Sequence, residues 1–308
     1  MVMQPLVSVI MPSFNSRDTL PRAMASVTAQ TCEDWECVFV DDGSTDGSYE
    51  WMREIADPRF RCLRSAVNRG RGAARQLALD TARGRYLAML DADDWYYPQK
   101  LQRELDCIAA DPGIALVSAS LAIVDPADRL AGIRRSKPHD CSMAGTNWTS
   151  VCFAPSLIRM EVARQVGFDC TYRVGEDRDF LLRLLPGRAY TCLPETLYAY
   201  TEYASATLEK VLESNRSAQR RANQLLAHDW IRRQSLNLSY YGKSFLYRAA
   251  FALGQQERMV RARSEHPQPA DLAQFEAAWA VVESVRLRCF GPEGLETRPQ
   301  AAQRGSVV

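Results

Sequence analysis

The chain has 308 residues, enough for one large domain or two modest ones with a proper core. Apolar residues make up 46% and charged residues 24%, as in an ordinary soluble globular protein. With 38 Lys and Arg against 37 Asp and Glu, the net charge of +1 excludes a bulk electrostatic attraction to nucleic acid.

Leu6 to Met11 is an apolar run closed by Pro12, and Asn15 and Ser16 offer caps for a helix from about Arg17 to Gln30. Trp35 to Val40 reads as a second strand ending in Asp41-Asp42-Gly43-Ser44; Thr45 and Asp46 then cap a helix through Ile55. Phe60 to Arg64 is a third short strand. Gly70 to Ala82 is a third helix, with Ala74, Leu77, Ala78 and Ala82 on one face. A fourth strand follows Gly84 and ends at Asp91, and Pro98 occupies the first turn of a helix to Ala110. Strands of about six residues alternating with helices of about 12 predict right-handed crossovers and a parallel sheet.

Ile114 to Val124 is a long apolar strand, and Leu130 to Arg134 pairs back on it across a turn at Asp125, Pro126 and Asp128. Arg135 to Asn147 is polar and weakly periodic, where a mobile acceptor loop is expected. Trp148-Thr149-Ser150 leads into a strand at Val151 to Ala154, and Ser156 caps a helix to Val166. Glu176, Asp177 and Asp179 open a helix that continues through Phe180 to Leu185. Tyr190 to Leu193 and Leu197 to Tyr200 are strands at the far edge. From Ser205 the chain reads helical, with Arg220-Arg221 and Arg232-Arg233 beside one apolar stripe. These helices either touch an anionic membrane or pack on the preceding domain or across a homodimer, with Arg outward. The expected divisions are 1–112, 113–204, 205–290 and a disordered tail at 291–308.

Nine cysteines, an odd number, form no C-x-x-C pair and no Cys/His cluster, a reduced pattern that favours neither disulfides nor zinc. No charged leader with an apolar core precedes the first strand, and no apolar run approaches the roughly 18 residues of a membrane span. A cytoplasmic protein is expected, with peripheral contact at the inner face of the membrane left open.

In open α/β sheets, ligands bind beyond the carboxyl ends of the strands. Pro12-Ser13-Phe14-Asn15, Asp41-Asp42-Gly43 and Asp91-Ala92-Asp93 all fall there. Clustered carboxylates at the end of a buried strand are costly unless a cation or polar ligand neutralises them. Asp91 and Asp93, at alternate positions, supply hard oxygens suited to Mg2+ or Mn2+ carrying substrate phosphates, although a helix cap in a solvated turn has the same composition. A G-x-G-x-x-G fingerprint and a P-loop are missing, which argues against a nicotinamide dehydrogenase or a P-loop NTPase. A nucleotidyltransferase would want a Gly-rich, basic loop where Pro12-Ser13-Phe14-Asn15 stands. None of the three His lies in a motif, so a carboxylate is the better base, and the first-turn position of Asp177 favours its ionised form.

Val7 to Asn15, Val40-Asp41-Asp42-Gly43-Ser44-Thr45-Asp46, Asn68-Arg69-Gly70 with Ala74-Arg75, Leu90-Asp91-Ala92-Asp93-Asp94 and Gly175-Glu176-Asp177-Arg178-Asp179-Phe180 together resemble glycosyltransferase family 2. The resemblance spans about residues 5 to 200. It implies an α/β GT-A fold: a Rossmann-like, mostly parallel sheet flanked by helices, here with a C-terminal helical extension. It implies a metal-dependent inverting transfer of a sugar from a nucleoside-diphosphate sugar to a glycan or lipid-linked acceptor, of the cell-surface polysaccharide type. Residues 1–112 would be the donor half and 113–204 the acceptor half. Phe14, with Pro12 and Asn15, would line the base pocket, and Asp42 would accept a hydrogen bond from the base. Asn68, Gly70 and Arg75 would border base and phosphates, and Asp91 with Ala92 the ribose side. Asp93 would bind the divalent cation, Mg2+ or Mn2+. Asp177 would be the catalytic base, and Glu176 would shape the acceptor pocket. Trp95 and Trp148 either close the sugar pocket or pack in the core. A non-catalytic nucleotide-sugar or glycan-binding module on the same fold is the alternative.

Overall fold

A computed structural model describes residues 4–125, 127–137, 151–172, 174–202, 207–225, 227–255, 258 and 264–291. Of the expected acceptor loop only Arg135 to Lys137 are described; its residues 138–147, Trp148 and the tail beyond Gly291 lie outside the described residues.

The first half follows the periodicity: β1 (Val7–Ser13), α1 (Leu20–Thr28), β2 (Trp35–Asp41), α2 (Ser48–Arg53), β3 (Phe60–Arg64), α3 (Arg71–Thr81), β4 (Tyr86–Met89). β5 (Trp95–Tyr96), α4 (Lys100–Ala110), β6 (Ile114–Val124), β7 (Leu130–Arg134), β8 (Leu157–Arg159), α5 (Met160–Val166), α6 (Glu176–Leu184) and β9 (Ala189–Tyr200) complete the sheet layer. Three helices end the described chain: α7 (Leu208–Leu225), α8 (Trp230–Ala252) and α9 (Pro269–Phe290).

The strands form one sheet in the order β3-β2-β1-β4-β8-β6-β9-β5, with β7 beside β6. β3, β2, β1 and β4 are parallel neighbours, as are β6 and β9, while β8, β7 and β5 run against their neighbours. The sheet is therefore mostly parallel, and both its faces are covered. On one face Val7, Val9 and Met11 pack with Leu20 and Met24 of α1, Leu101 of α4 and Phe275 of α9. On the other, Ile10, Val38 and Leu87 pack with Ala78 of α3 and Phe180 of α6. Alternate residues of buried strands thus feed two cores, which is why these strands read as unbroken apolar runs.

Several elements differ from their sequence reading. β1 does not stop before Pro12 but runs through it, with Pro12 opposite Val40 and Ser13 opposite Asp41. The Ile10 carbonyl accepts from the Leu90 N–H, so even positions of β1 face β4. β4 ends at Met89, and no partner there requires the N–H that proline lacks. Val151 to Ala154 is not a strand. Leu157–Arg159 is, slotted antiparallel between β4 and β6, while the Ser156 hydroxyl donates to the Cys152 carbonyl at 2.8 Å instead of capping a helix. The two predicted edge strands are one, β9, lying between β6 and β5. Its register against β6 shifts between Ser118 and Ser120, where it carries Pro194, a bulge position that tolerates proline.

Candidate active site

The carboxyl ends of β1, β2 and β4 converge on one edge. Past β1, the Phe14 ring is 47% exposed, unusual for so large an apolar group beside a buried strand. Asn15 takes a left-handed φ of 51°, which Asn tolerates better than most residues. Its N–H donates to the Ser44 hydroxyl at 2.9 Å, and its side-chain oxygen accepts from the Thr45 N–H at 2.9 Å. Asn15 therefore staples the loops after β1 and β2. Asp42 accepts from the backbone N–H groups of Arg69 at 2.9 Å and Gly70 at 2.7 Å. The Asp42 carboxylate thus holds the entry of α3, with Asn68 exposed at that turn. Gly43, at φ 80°, lies against this turn so closely that a Cβ would meet the Asn68 nitrogen at 3.0 Å.

The acidic turn after β4 is fastened from behind. The Asp94 N–H donates to the Asp91 carbonyl at 3.0 Å. Asp94 itself is buried, accepting from the Tyr198 hydroxyl and the Thr201 N–H, each at 2.7 Å. Burial and the neighbouring charges of Asp93 and Asp91 hold its carboxyl well above the usual range. The carbonyls of Ala92 and Asp93 accept from the hydroxyls of Thr19 and Thr201, each at 2.7 Å, and that of Asp93 also from the Arg22 guanidinium at 2.8 Å. With the backbone so tied, the Asp91 and Asp93 side chains have fixed origins.

Between this turn and the start of α6 lie two arginines from successive turns of α3. The Arg75 guanidinium is buried and donates to Asp91 and to Glu176, each at 2.6 Å. Arg71, one turn earlier and half-exposed, approaches Glu176 at 3.4 Å and Asp91 at 4.0 Å. Burial alone would raise the Asp91 carboxyl, but the two arginines bring it below its ordinary value. Glu176, fully buried, stays raised by burial in spite of them. Asp93 is raised by burial and by the charge of Asp91, and no described side chain forms a hydrogen bond or close ion pair with its carboxylate. Arg71 and Lys210 of α7 act on it from a distance.

Asp177 follows Glu176 in the first turn of α6, behind Gly175 at φ 90°. It is half-exposed, and the Arg178 N–H donates to it at 2.7 Å. The charges of both Arg71 and Arg75 reach Asp177, so Asp91, Asp93, Glu176 and Asp177 share one cationic centre. Asp179 does not join them: it is paired with Arg183 and Arg221.

No group of three potential metal ligands exists among the described residues. A divalent cation there would need phosphate oxygens as well as protein ones, which is how Mg2+ is usually held. The hard, partly exposed carboxylate of Asp93, crowded by Asp91 and left without a close cationic partner, fits that donor set.

Other predicted site residues lie elsewhere. Trp95 is not in a sugar pocket. It is fully buried, stacked on Tyr97 at 5.2 Å and tilted against Phe275 and Trp279 of α9. The helix that covers it comes from the far end of the chain, which is why its position after the acidic turn misleads. Arg75, by contrast, lies at the centre of the site, with both its ends occupied by carboxylates. Arg71, Tyr198, Thr201 and Lys210 were not singled out from sequence. The signal for Arg71 was its i, i+4 spacing from Arg75, which puts both on one helix face.

The Glycosyl transferase family 2 model matches residues 8–167. A putative teichuronic acid biosynthesis glycosyltransferase, TuaG of Bacillus subtilis, is 42% identical over 105 residues, 33% of this chain and 42% of that one. WfaP of Escherichia coli, a UDP-Glc:alpha-D-GlcNAc-diphosphoundecaprenol beta-1,3-glucosyltransferase, is 35% identical over 32% of this chain and 40% of its own. The chain thus spans less than half the length of these curated relatives. Among solved structures, the mannosyltransferase PcManGT of Pyrobaculum calidifontis, in complex with GDP-Man and Mn2+, superposes with a TM-score of 0.55 at 16% identity, over 93% of this chain and 88% of that one. That likeness is one of fold: mixed α/β, with a mostly parallel sheet and flanking helices.

Proposed function

The chain belongs to glycosyltransferase family 2, and on that premise we propose that it moves a sugar, with inversion, from a nucleoside-diphosphate sugar to a hydroxyl of a glycan or lipid-linked acceptor during cell-surface polysaccharide synthesis. Residues 1–112 form the donor half in this reading and 113–204 the acceptor half. The observation that supports it is the gathering of Asp91, Asp93, Glu176 and Asp177 around Arg71 and Arg75. What the relatives and the fold neighbour are named for supports the donor and acceptor classes.

The exposed Phe14 ring stacks on the base, at a strand end rigidified by Asn15. Departure of the diphosphate builds charge on phosphate oxygens beside Arg71, which partly neutralises it. Asp93, next to Asp91, would hold a Mg2+ or Mn2+ ion, which would supply further positive charge to that leaving group. Asp177 takes the proton from the attacking acceptor hydroxyl, on the face of the sugar opposite the diphosphate. Glu176 is buried and shapes the acceptor side of the site indirectly. Through Arg75 it anchors the first turn of α6, and so Asp177, to the acidic turn.

Thermal denaturation against UDP-, GDP- and dTDP-sugars, with and without Mn2+ or Mg2+, tests the donor assignment, since a ligand of the native state raises stability. A metal-dependent upward shift with one donor class, followed by release of free diphosphate with an acceptor, is the expected result. Binding without release or transfer would favour a non-catalytic binding module, and no shift with any donor would refute the proposal.

A further inference from the structure

α8 carries two apolar faces. Tyr240 turns toward α7 and packs with Ala218 and Leu236, and its carbonyl accepts from the Asn215 side chain at 2.8 Å. Asn215 also donates to the Ser244 hydroxyl at 2.6 Å, fixing how the two helices meet. On the other side, Trp230, Ile231, Leu238, Tyr241, Phe245 and Leu246 stand 64–76% exposed. At helical spacing these six fall within an arc of about 160°, a stripe about 24 Å long. Gln234 and Ser235, also exposed, interrupt the stripe between Ile231 and Leu238, but the cluster from Leu238 to Leu246 exceeds the scattered single apolar residues of an ordinary surface and marks a contact surface.

The charges beside the stripe select its partner. Arg248 lies on one border, Arg232 and Lys243 on the other, all exposed. From Trp230 to Ala252 the only charged residues are Arg232, Arg233, Lys243 and Arg248, with no acidic residue among them. Asp229, the N-cap, pairs with Arg232 at 3.5 Å; beyond that end, two copies of this face set together would bring basic border to basic border with no acid opposite. A bilayer containing anionic lipid answers both properties at once, an apolar interior for the stripe and phosphates for its borders. No described helix is long and apolar enough to cross a membrane, so the contact lies in the interfacial plane.

We infer that α8 lies flat on an anionic bilayer, sinking the Leu238 and Phe245 face among the headgroups while Arg232, Lys243 and Arg248 meet lipid phosphates. The inference is independent of the catalytic reading, because it rests on a surface that holds none of the proposed site residues.

Sedimentation of the full chain with vesicles of half phosphatidylglycerol and half phosphatidylcholine, against phosphatidylcholine alone, tests it. The protein is expected to pellet with the anionic vesicles at low salt and to be released at high salt. Leu238→Ser with Phe245→Ser should lower binding more than tenfold, and Arg232→Gln, Lys243→Gln and Arg248→Gln should lower it about fivefold per charge. These positions are exposed, so folding is expected to survive, and the donor-induced thermal shift should be unchanged in both sets. Wild-type protein left in the supernatant at low salt would overturn the inference. So would a Leu238→Ser/Phe245→Ser variant that pellets as well as wild type, or a solution dimer that this variant splits, which would make a second copy the occupant.

Discussion

The Arg75 guanidinium lies 2.6 Å from the Glu176 carboxylate, 101 positions away in the chain, with both side chains buried. Its other end lies 2.6 Å from Asp91. One planar group thus couples the end of β4 to the start of α6, and with them the two acidic motifs.

Removing one partner of a buried pair leaves the other charge uncompensated. Arg75→Met is expected to destabilise the fold by about 3–5 kcal/mol, measured by urea denaturation, and Arg75→Met/Glu176→Leu to recover part of that loss, Asp91 keeping only the more distant Arg71. Arg75→Lys keeps the charge but cannot fork between two carboxylates. In that variant kcat should fall by about 100-fold, with a smaller change in donor KM, because the base is displaced rather than the donor site removed. A change confined to KM would assign Arg75 to donor binding instead.

Asp93→Asn removes the one carboxylate of the acidic turn that no described side chain engages. Titration calorimetry of the donor in Mn2+ should show affinity reduced by at least about tenfold, and chelation should erase the difference between variant and wild type. Equal affinities in Mn2+ would remove Asp93 from the metal site.

Asp177→Asn should lower turnover by about 10²- to 10⁴-fold while leaving donor affinity intact. Rapid-quench measurement of transfer, beside donor titration, separates the two. An active Asp177→Asn enzyme would require another base.

Lys100 and Glu104 form a fully buried pair at 2.6 Å, one turn apart on α4. Burial lifts Glu104 to about 7 despite Lys100 beside it. A raised carboxyl binds its proton more tightly in the folded state than in the unfolded chain. Its contribution is therefore fully present below the ordinary value near 4.5 and is lost as pH rises through about 7. Thermal melts across that window should flatten in Glu104→Gln. Lys100→Met alone should cost about 3–5 kcal/mol, and Lys100→Met/Glu104→Leu about none.

Gly84→Ala places a Cβ 2.5 Å from the Ser8 nitrogen, a backbone atom that cannot swing aside. A loss of about 1–3 kcal/mol in denaturant titration is expected.

The alternation of β1 through α4 was legible because each strand feeds two buried faces and each helix keeps a 3.6-residue stripe. Asp91 and Asp93 were legible because charge ends an apolar run. β8 was not: three residues carry no period, and only the slot between β4 and β6 makes them a strand. Arg71 was not legible either, because its partner Glu176 is brought to it by α6, far along the chain. Asp42 and Arg75 were recognised as site residues, yet what they hold, a turn and a pair of carboxylates, depends on partners the local sequence does not name.

The last described helix does not trail away. α9 leans on α1, burying Phe275 against Trp95 and Phe290 against Trp51. The excursion through α7 and α8 is therefore moored at both ends, like a handle on a cup. Whatever α8 rests on, its bearing relative to the acidic turn is set by two anchorages instead of one, and trimming the chain before Pro269 would both release the handle and bare two tryptophans.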